Sequence, residues 1–142
     1  MGTRRKSREA ALQFLYQNDF VKVTDTGDDL ELIETFHLFC SLYQVNKKAR
    51  PYALELIQGV LARIEKIDEM ISLAGSQWRL SRIAPTDRNL LRIAVFEMSL
   101  MENVPPQVAI NEAVEIAKRF AGEESPRFIN GVLDAVKSNF SQ

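Results

Sequence analysis

The chain has 142 residues, of which 18 are Lys or Arg and 19 are Asp or Glu, so its net charge is −1. A domain of this length buries roughly two thirds of its unfolded surface and can fold without a metal ion or a disulfide. The single cysteine, Cys40, excludes an intramolecular disulfide, and no apolar run suits a signal peptide or a membrane span, so we expect a cytoplasmic protein.

The first predicted helix begins near residues 3–7 and ends near Phe20, with an apolar stripe over residues 11–16. Residues 1–9 carry a side-chain charge of +3, which leaves −4 for the rest of the chain. The cations are Arg4, Arg5, Lys6 and Arg8. Cations cost a few tenths of a kcal/mol each at a helix N-terminus, so their placement favours an anion site suited to phosphates. A solvated basic tail is the alternative.

A second helix is predicted from Leu30 to about Tyr43, capped by Asp28 or Asp29. Its inner face would hold Leu32, Ile33, Phe36, Phe39 and either Leu42 or Tyr43. His37 and Cys40 lie one turn apart, but two candidate ligands do not make a zinc site, so an ordinary, partly buried pair is expected.

A turn at residues 46–50 precedes a third helix that opens at Pro51, with an apolar stripe over residues 53–73. The pattern leaves open whether this is one helix or two helices broken within residues 63–68. In the connector that follows, three apolar residues would join two helical layers: Trp78, Leu80 and Ile83.

The segment from Pro85 to Met101 predicts the central helix, because it is apolar almost all round, as buried helices are. Thr86 and Asp87 favour its start, and Pro85 suits its first turn. At about 1.5 Å per residue it would be roughly 25 Å long. Its narrow polar face consists of Arg92, Glu97 and Ser99.

Asn103 to Pro106 should break the chain before a helix from Gln107 to Phe120, which Gly122 ends. The residues expected to face inward are Val108, Ala109, Ala113, Ile116, Ala117 and Phe120. Ser125 would be the N-cap of the last helix, followed by Pro126 in its first turn. The apolar stripe of that helix is Phe128, Ile129, Val132, Leu133 and Val136. Gly131, in its middle, suggests close packing against a neighbouring helix.

No strand pattern survives, so the fold class is all-α: a single domain over residues 1–142 with about seven helices. The sequence lacks a Gly-rich phosphate loop, a metal-spaced cluster and a nucleophile with a plausible base. We therefore expect a binding module rather than an enzyme, with no cofactor and no metal ion.

Three stretches together resemble the NusB family of bacterial transcription antitermination factors. They are RRKSREAALQFLYQ at residues 4–17, DRNLLRIAVFEM at 87–98, and VAINEAVEIAKRF followed by SPRFINGVLDAV at 108–120 and 125–136. The resemblance implies two packed helical bundles that join ribosomal protein NusE. It further implies that the heterodimer binds the single-stranded boxA element of nascent RNA and helps to assemble an antitermination complex on RNA polymerase, notably on ribosomal RNA operons. A homodimer is possible in the family.

The same resemblance assigns roles residue by residue. It implies phosphate contacts for the four cations of the chain start, and an RNA surface at the loop and first turn of the last helix, comprising Glu123, Glu124, Arg127 and Phe128. There Phe128 could stack on an unpaired base, with core packing as the alternative. For NusE the implied positions are Tyr16, Asp87 and, as a weaker candidate, Asp19. A plain helix-start acid is the alternative for Asp87.

Two departures weaken the expected RNA binding of the chain alone. Lys6 and Ser7 stand where a denser arginine run can occur, and no basic tail follows Phe140. We therefore expect weak, strongly salt-dependent binding. Two other functions stay open. One is the RNA-binding N-terminal domain of a ribosomal RNA cytosine methyltransferase, which would need a longer chain, and the other is a protein–protein adaptor whose basic start is only solvated.

Overall fold

A computed structural model describes residues 2–21, 29–75 and 79–140. Within these ranges the chain forms seven α-helices: α1 (Thr3–Val21), α2 (Asp29–Tyr43), α3 (Arg50–Ala62), α4 (Ile64–Ala74), α5 (Pro85–Leu100), α6 (Pro106–Phe120) and α7 (Ser125–Phe140). Two short 3-10 helices lie at Lys47–Ala49 and Leu80–Arg82. No described residue is in a strand, which confirms the all-α class. None of the described helices is both long and apolar enough to cross a membrane.

The chain divides into two compact units, Met1–Gln58 and Gly59–Gln142. The structure also answers the question that the sequence left open after Pro51: α3 ends at Ala62 and α4 begins at Ile64, with Arg63 between them at φ −126°. Two predictions, Asp28 as a cap and Trp78 as a joining residue, fall outside the described residues. That residues 1–142 form one domain stays a prediction.

In the unit Met1–Gln58, α1 and α2 pack through aromatic rings. The Phe14 ring meets the rings of Phe36 and Phe39 edge-on, at centroid distances of 5.7 and 5.4 Å. Edge-to-face pairs of this kind stabilise a core beyond the area that they bury. Of the alternatives Leu42 and Tyr43, the structure favours Tyr43, because Leu42 is 70% exposed, whereas Tyr43 is half exposed and packs against Phe39.

The expected pair of His37 and Cys40 is divided between surface and core. His37 is exposed, and Cys40 is fully buried. Burial raises the pKa of the Cys40 thiol, and the positive charge of Arg50 opposes that rise only in part. Cys40 therefore behaves as a small apolar core residue.

In the unit Gly59–Gln142, α5 is the central helix, with α4, α6 and α7 packed against it. Ten consecutive residues, Asn89 to Met98, are buried. Two of the three residues of the predicted polar face are buried, because Arg92 is 8% exposed and Glu97 is 1% exposed, whereas Ser99 is half-buried. Arg92 is held from α4: its Nε and Nη2 donate to the two carboxylate oxygens of Asp68 at 2.8 and 3.0 Å.

Two predicted inward positions of α6, in the unit Gly59–Gln142, are wrong. Val108 and Phe120 are 44% and 50% exposed, and Ile110 is buried in α6 instead. The close packing expected at Gly131 is absent, since an added Cβ meets no atom of the described chain within 4 Å. Gly59 in α3 is tightly packed instead, because an added Cβ there would overlap the Phe96 ring.

Candidate nucleic-acid interface

The predicted basic site lies on the first turns of α1, in the unit Met1–Gln58. Arg4 and Lys6 are exposed and Arg5 is half-buried. Arg8 differs, because it is only 5% exposed. Arg5 and Arg8 are both engaged in contacts of the chain. Arg4, Arg5 and Lys6 are therefore accessible to a phosphate group in the protein without RNA, whereas Arg8 is buried.

One aromatic ring positions two of these guanidinium groups. Arg4 Cζ lies 3.9 Å from the ring centroid of Tyr52, and Arg8 Cζ lies 5.9 Å from the same centroid. Both distances fall within the range in which a ring face attracts a cation. Tyr52 is itself almost fully buried near the start of α3, so its ring is a fixed support. Sequence analysis did not identify Tyr52, because nothing local signals which helix will lie under the arginines.

Ser7 fixes the start of α1 against the rest of the unit. Its buried hydroxyl lies 2.7 Å from the carbonyl oxygen of Ala49 and 3.1 Å from that of Thr3, either of which can accept its proton. A buried hydroxyl without such a partner would be costly, so this contact orients the first two turns.

The predicted NusE positions Tyr16 and Asp19 lie two to three turns further along α1. Tyr16 is 40% exposed and Asp19 is half-buried, and both are engaged in contacts of the chain. At 1.5 Å and about 100° per residue, Tyr16 shares a helix face with Arg5, roughly 17 Å away. One face of α1 thus presents a cationic end and an aromatic end.

The remaining predicted residues lie in the unit Gly59–Gln142, around the start of α7. A surface cleft of about 560 Å³ separates the segment before α5 from the segment before α7. Its lining includes Asp87, Glu123, Glu124, Ser125 and Phe128. Arg127 is exposed and does not line the cleft. The structure therefore brings Asp87, assigned to NusE, together with Glu124 and Phe128, assigned to RNA.

Asp87 is the electrostatically unusual group of this cleft. Its Oδ2 accepts a hydrogen bond from Ser125 Oγ at 3.1 Å, and its Oδ1 is buried without a hydrogen-bond partner among the described residues. Burial raises the pKa of the Asp87 carboxyl, and the Ser125 hydrogen bond lowers it to a smaller extent. The Ser125 hydroxyl, predicted as an N-cap, thus donates to Asp87 in the first turn of α5.

Two cations of this cleft were missed by sequence analysis. Arg79 and Arg82 line it from the connector before α5, and both are exposed. The adjacent Arg88 Nη1 lies 3.3 Å from the carbonyl oxygen of Ile83, which helps to hold the connector in place. Arg79 and Arg82 are isolated in a connector, so the sequence gave no periodic signal for them.

Among residues 2–21, 29–75 and 79–140, no group of three or more His, Cys, Asp or Glu side chains could hold a metal ion. The arrangement offers cations for phosphates, a half-buried ring at Phe128 and an acceptor at Asp87. These are groups for binding rather than for covalent chemistry.

Comparison with known proteins gives a consistent result. The model of the NusB family matches residues 5–138. The transcription antitermination protein NusB of Desulfotalea psychrophila is 62% identical over 139 residues, which cover 97% of each chain. A solved structure of T. maritima NusB superimposes with a TM-score of 0.77 at 34% identity, covering 98% of this chain and 97% of that one. A crystal structure of antitermination factors NusB and NusE in complex with dsRNA gives a TM-score of 0.79 at 28% identity, covering 96% and 97%.

Proposed function

The chain belongs to the NusB family of transcription antitermination proteins, and on that basis we propose that it binds RNA jointly with ribosomal protein NusE. It is not an enzyme, since its relatives are transcription antitermination proteins. The finer parts of the proposal are a preference for the single-stranded boxA element, assembly on RNA polymerase during transcription of ribosomal RNA operons, and a cytoplasmic location.

The observation that carries the proposal is the exposed cationic start of α1, supported by Tyr52 and Ser7. Arg4 lies over the Tyr52 ring at 3.9 Å, so part of the entropy cost of fixing its side chain is met before RNA arrives. Together Arg4, Arg5 and Lys6 supply charge-assisted contacts to phosphates, with Arg8 beneath them. Such contacts position RNA without reading its sequence.

The cleft beside α7 supplies groups suited to bases. Phe128 lines the cleft and is only half-buried, so we assign it a stacking role, which is worth about 1–3 kcal/mol per base. Glu124 is exposed at the same rim, where its carboxylate repels phosphate but can accept from a base edge. Arg127, exposed on the first turn of α7, is the phosphate contact of this region.

For NusE we assign Tyr16, Asp19 and Asp87. Tyr16 exposes 40% of its surface beyond the cationic end of α1, as an aromatic anchor of an interface would. Asp87 Oδ1, which has no hydrogen-bond partner among the described residues, would gain a hydrogen bond or a cation from a partner that opens the cleft. Substituting Tyr16→Ala should therefore weaken NusE binding while leaving RNA binding by the chain alone unchanged.

The test is a titration of labelled boxA RNA and a scrambled RNA, with and without NusE, at two salt concentrations. Wild type should bind boxA more tightly with NusE, and Arg4→Ala/Arg5→Ala should lose most of that affinity. The control Arg63→Ala/Lys66→Ala removes two exposed cations from the other unit and should bind like wild type. If NusE binds but RNA is ignored under every condition, the chain is an adaptor and the cationic start is only solvated.

The oligomeric state enters the same experiment. A homodimer that covers the RNA surface would make RNA affinity fall as protein concentration rises, which light scattering alongside the titration would show. The methyltransferase-domain alternative is not favoured, because the Desulfotalea relative is an antitermination protein over 97% of its length.

A further inference from the structure

The structure places a second pair of cations beside the cationic start of α1. We propose that Lys47 and Lys48, on the 3-10 helix between α2 and α3, extend that start into one phosphate-binding surface for single-stranded RNA. This inference rests on the proposed function, because it adds contacts to the same RNA. Neither lysine is signalled by helical periodicity, since the pair lies in the turn at residues 46–50.

The first line of support is the hydrogen bond between the two elements. Ser7 Oγ in α1 lies 2.7 Å from the carbonyl oxygen of Ala49, which ends the 3-10 helix. Lys48 and Lys47 precede Ala49 by one and two residues, so their Cα atoms lie within about 4 and 8 Å of the Ala49 Cα. At physiological salt the screening length is about 8 Å, so charges this close act on the same stretch of phosphate backbone.

The second is that this turn is rigid. Asn46 Oδ1 accepts from the backbone N–H of Lys48 at 2.9 Å, and Arg50 Nε donates to the carbonyl oxygen of Val45 at 3.0 Å. Gln44 enters the turn with φ 51°, the left-handed conformation that reverses the chain after α2. The backbone beneath both lysines is therefore fixed before any ligand binds, which lowers the entropy cost of binding.

The third is the balance and availability of charge. Residues 2–10 and 44–53 together hold seven Lys or Arg and one acid, Glu9. Lys47 and Lys48 are both exposed, and the described part of the chain holds neither in an ion pair. By contrast, exposed Lys118 in α6 is paired with Glu115 at 2.7 Å. The two lysines beside α1 are free to exchange their counterions for phosphates.

The test compares three double variants with wild type in titrations of boxA RNA and scrambled RNA. Lys47→Gln/Lys48→Gln removes the charges, Lys47→Arg/Lys48→Arg keeps them, and Lys66→Gln/Lys118→Gln removes two exposed lysines of the other unit. For a single strand each lost contact lowers the slope of log K against log salt by about 0.7. The Gln variant should thus lose about 1.4 from the slope, so wild type should weaken about sevenfold more than this variant between about 50 and 200 mM salt.

The loss should be equal for both RNAs, since phosphate contacts carry no sequence information, and the Arg variant should restore the wild-type slope. The inference is overturned if the Gln variant matches the Lys66/Lys118 control, or if the Arg variant loses as much as the Gln variant. Failure of the proposed function looks different: wild type itself then binds neither RNA, with or without NusE, and both proposals fall together.

Discussion

Two arginines in different parts of the chain show how environment decides what a cation does. Arg4 is exposed on the first turn of α1, and its guanidinium rests on the Tyr52 ring at 3.9 Å. Arg92 is buried in α5, where Asp68 binds its guanidinium through two hydrogen bonds of 2.8 and 3.0 Å and Asn89 Oδ1 accepts a third at 3.2 Å. The donors of an unpaired guanidinium point to water or a ligand, whereas Arg92 uses three of its five N–H donors within the fold.

The difference separates stability from binding. An aromatic support leaves the hydrogen-bonding edge of Arg4 available for phosphate. A bidentate carboxylate occupies that edge in Arg92, and breaking such a pair leaves a charge without its partner. Residue type alone therefore cannot distinguish a binding arginine from a structural one.

The largest effect should come from exchanging the two arginines for methionine, one at a time. Arg92→Met leaves Asp68 and Asn89 without their donor and should cost about 2–4 kcal/mol, at the lower end of a buried pair because Asp68 retains 25% exposure. Arg4→Met should change stability by less than about 0.5 kcal/mol, since it lies at an exposed position. Urea unfolding of the two variants and of wild type measures both changes in stability.

RNA affinity should follow the opposite order. Folded Arg92→Met should bind RNA as wild type does, whereas Arg4→Met should bind it several-fold more weakly and with a shallower salt dependence. If Arg4→Met unfolds more easily than Arg92→Met, the division between the two environments is wrong.

A smaller effect is expected from two glycines, of which Gly59 is packed against a side chain and Gly131 is open to solvent. Gly59→Ala places a methyl group against the Phe96 ring and should cost about 1–3 kcal/mol. Gly131→Ala, in an open and exposed part of α7, should stabilise the fold by up to about 1 kcal/mol.

The ring can be tested as the cause. Phe96→Leu removes atoms from the contact, so Gly59→Ala should cost less in that background than in wild type, as a double-mutant cycle by urea unfolding would measure. Equal costs in the two backgrounds would show that the Phe96 ring is not what excludes the methyl group.

How far the sequence predicts the fold follows from what each signal measures. The burial of α5 was predictable, because apolar residues lie at nearly every position and leave only a narrow polar face for solvent. The burial of Arg92 was not, because its partner Asp68 is 24 residues away in sequence and only packing joins them. The assignments at Val108 and Phe120 are wrong for a related reason: α6 has apolar residues on more than one face, and periodicity does not say which face its neighbours cover.

The candidate site divides in the same way. The cationic start of α1 was visible because its charges oppose the helix dipole, a local signal. That Ser7 bonds to Ala49, and so brings Lys47 and Lys48 beside that start, depends on a contact 42 residues apart in sequence. The cleft that joins Asp87 to Phe128 likewise exists only once α5 and α7 have packed.

The smallest predicted effect concerns two aspartates. Asp68 binds the guanidinium of Arg92, whereas Asp87 accepts a hydrogen bond from the uncharged hydroxyl of Ser125. Because the folded-state pKa of Asp87 is raised, the folded protein holds that proton more tightly than the unfolded chain does. The wild type therefore loses stability as pH rises from the ordinary range of an aspartate through the raised pKa. Asp87→Asn keeps an oxygen to accept from Ser125 and has no charge to bury.

Asp87→Asn should consequently melt at a higher temperature than wild type at pH 7, and the difference should shrink as pH falls into the ordinary aspartate range. The matched control, Asp68→Asn, should melt at a lower temperature at pH 7, because it removes the charge that Arg92 binds. Calorimetry at a series of pH values measures both. If Asp87→Asn instead melts below wild type by the same amount at every pH, burial of the Asp87 charge does not destabilise the fold.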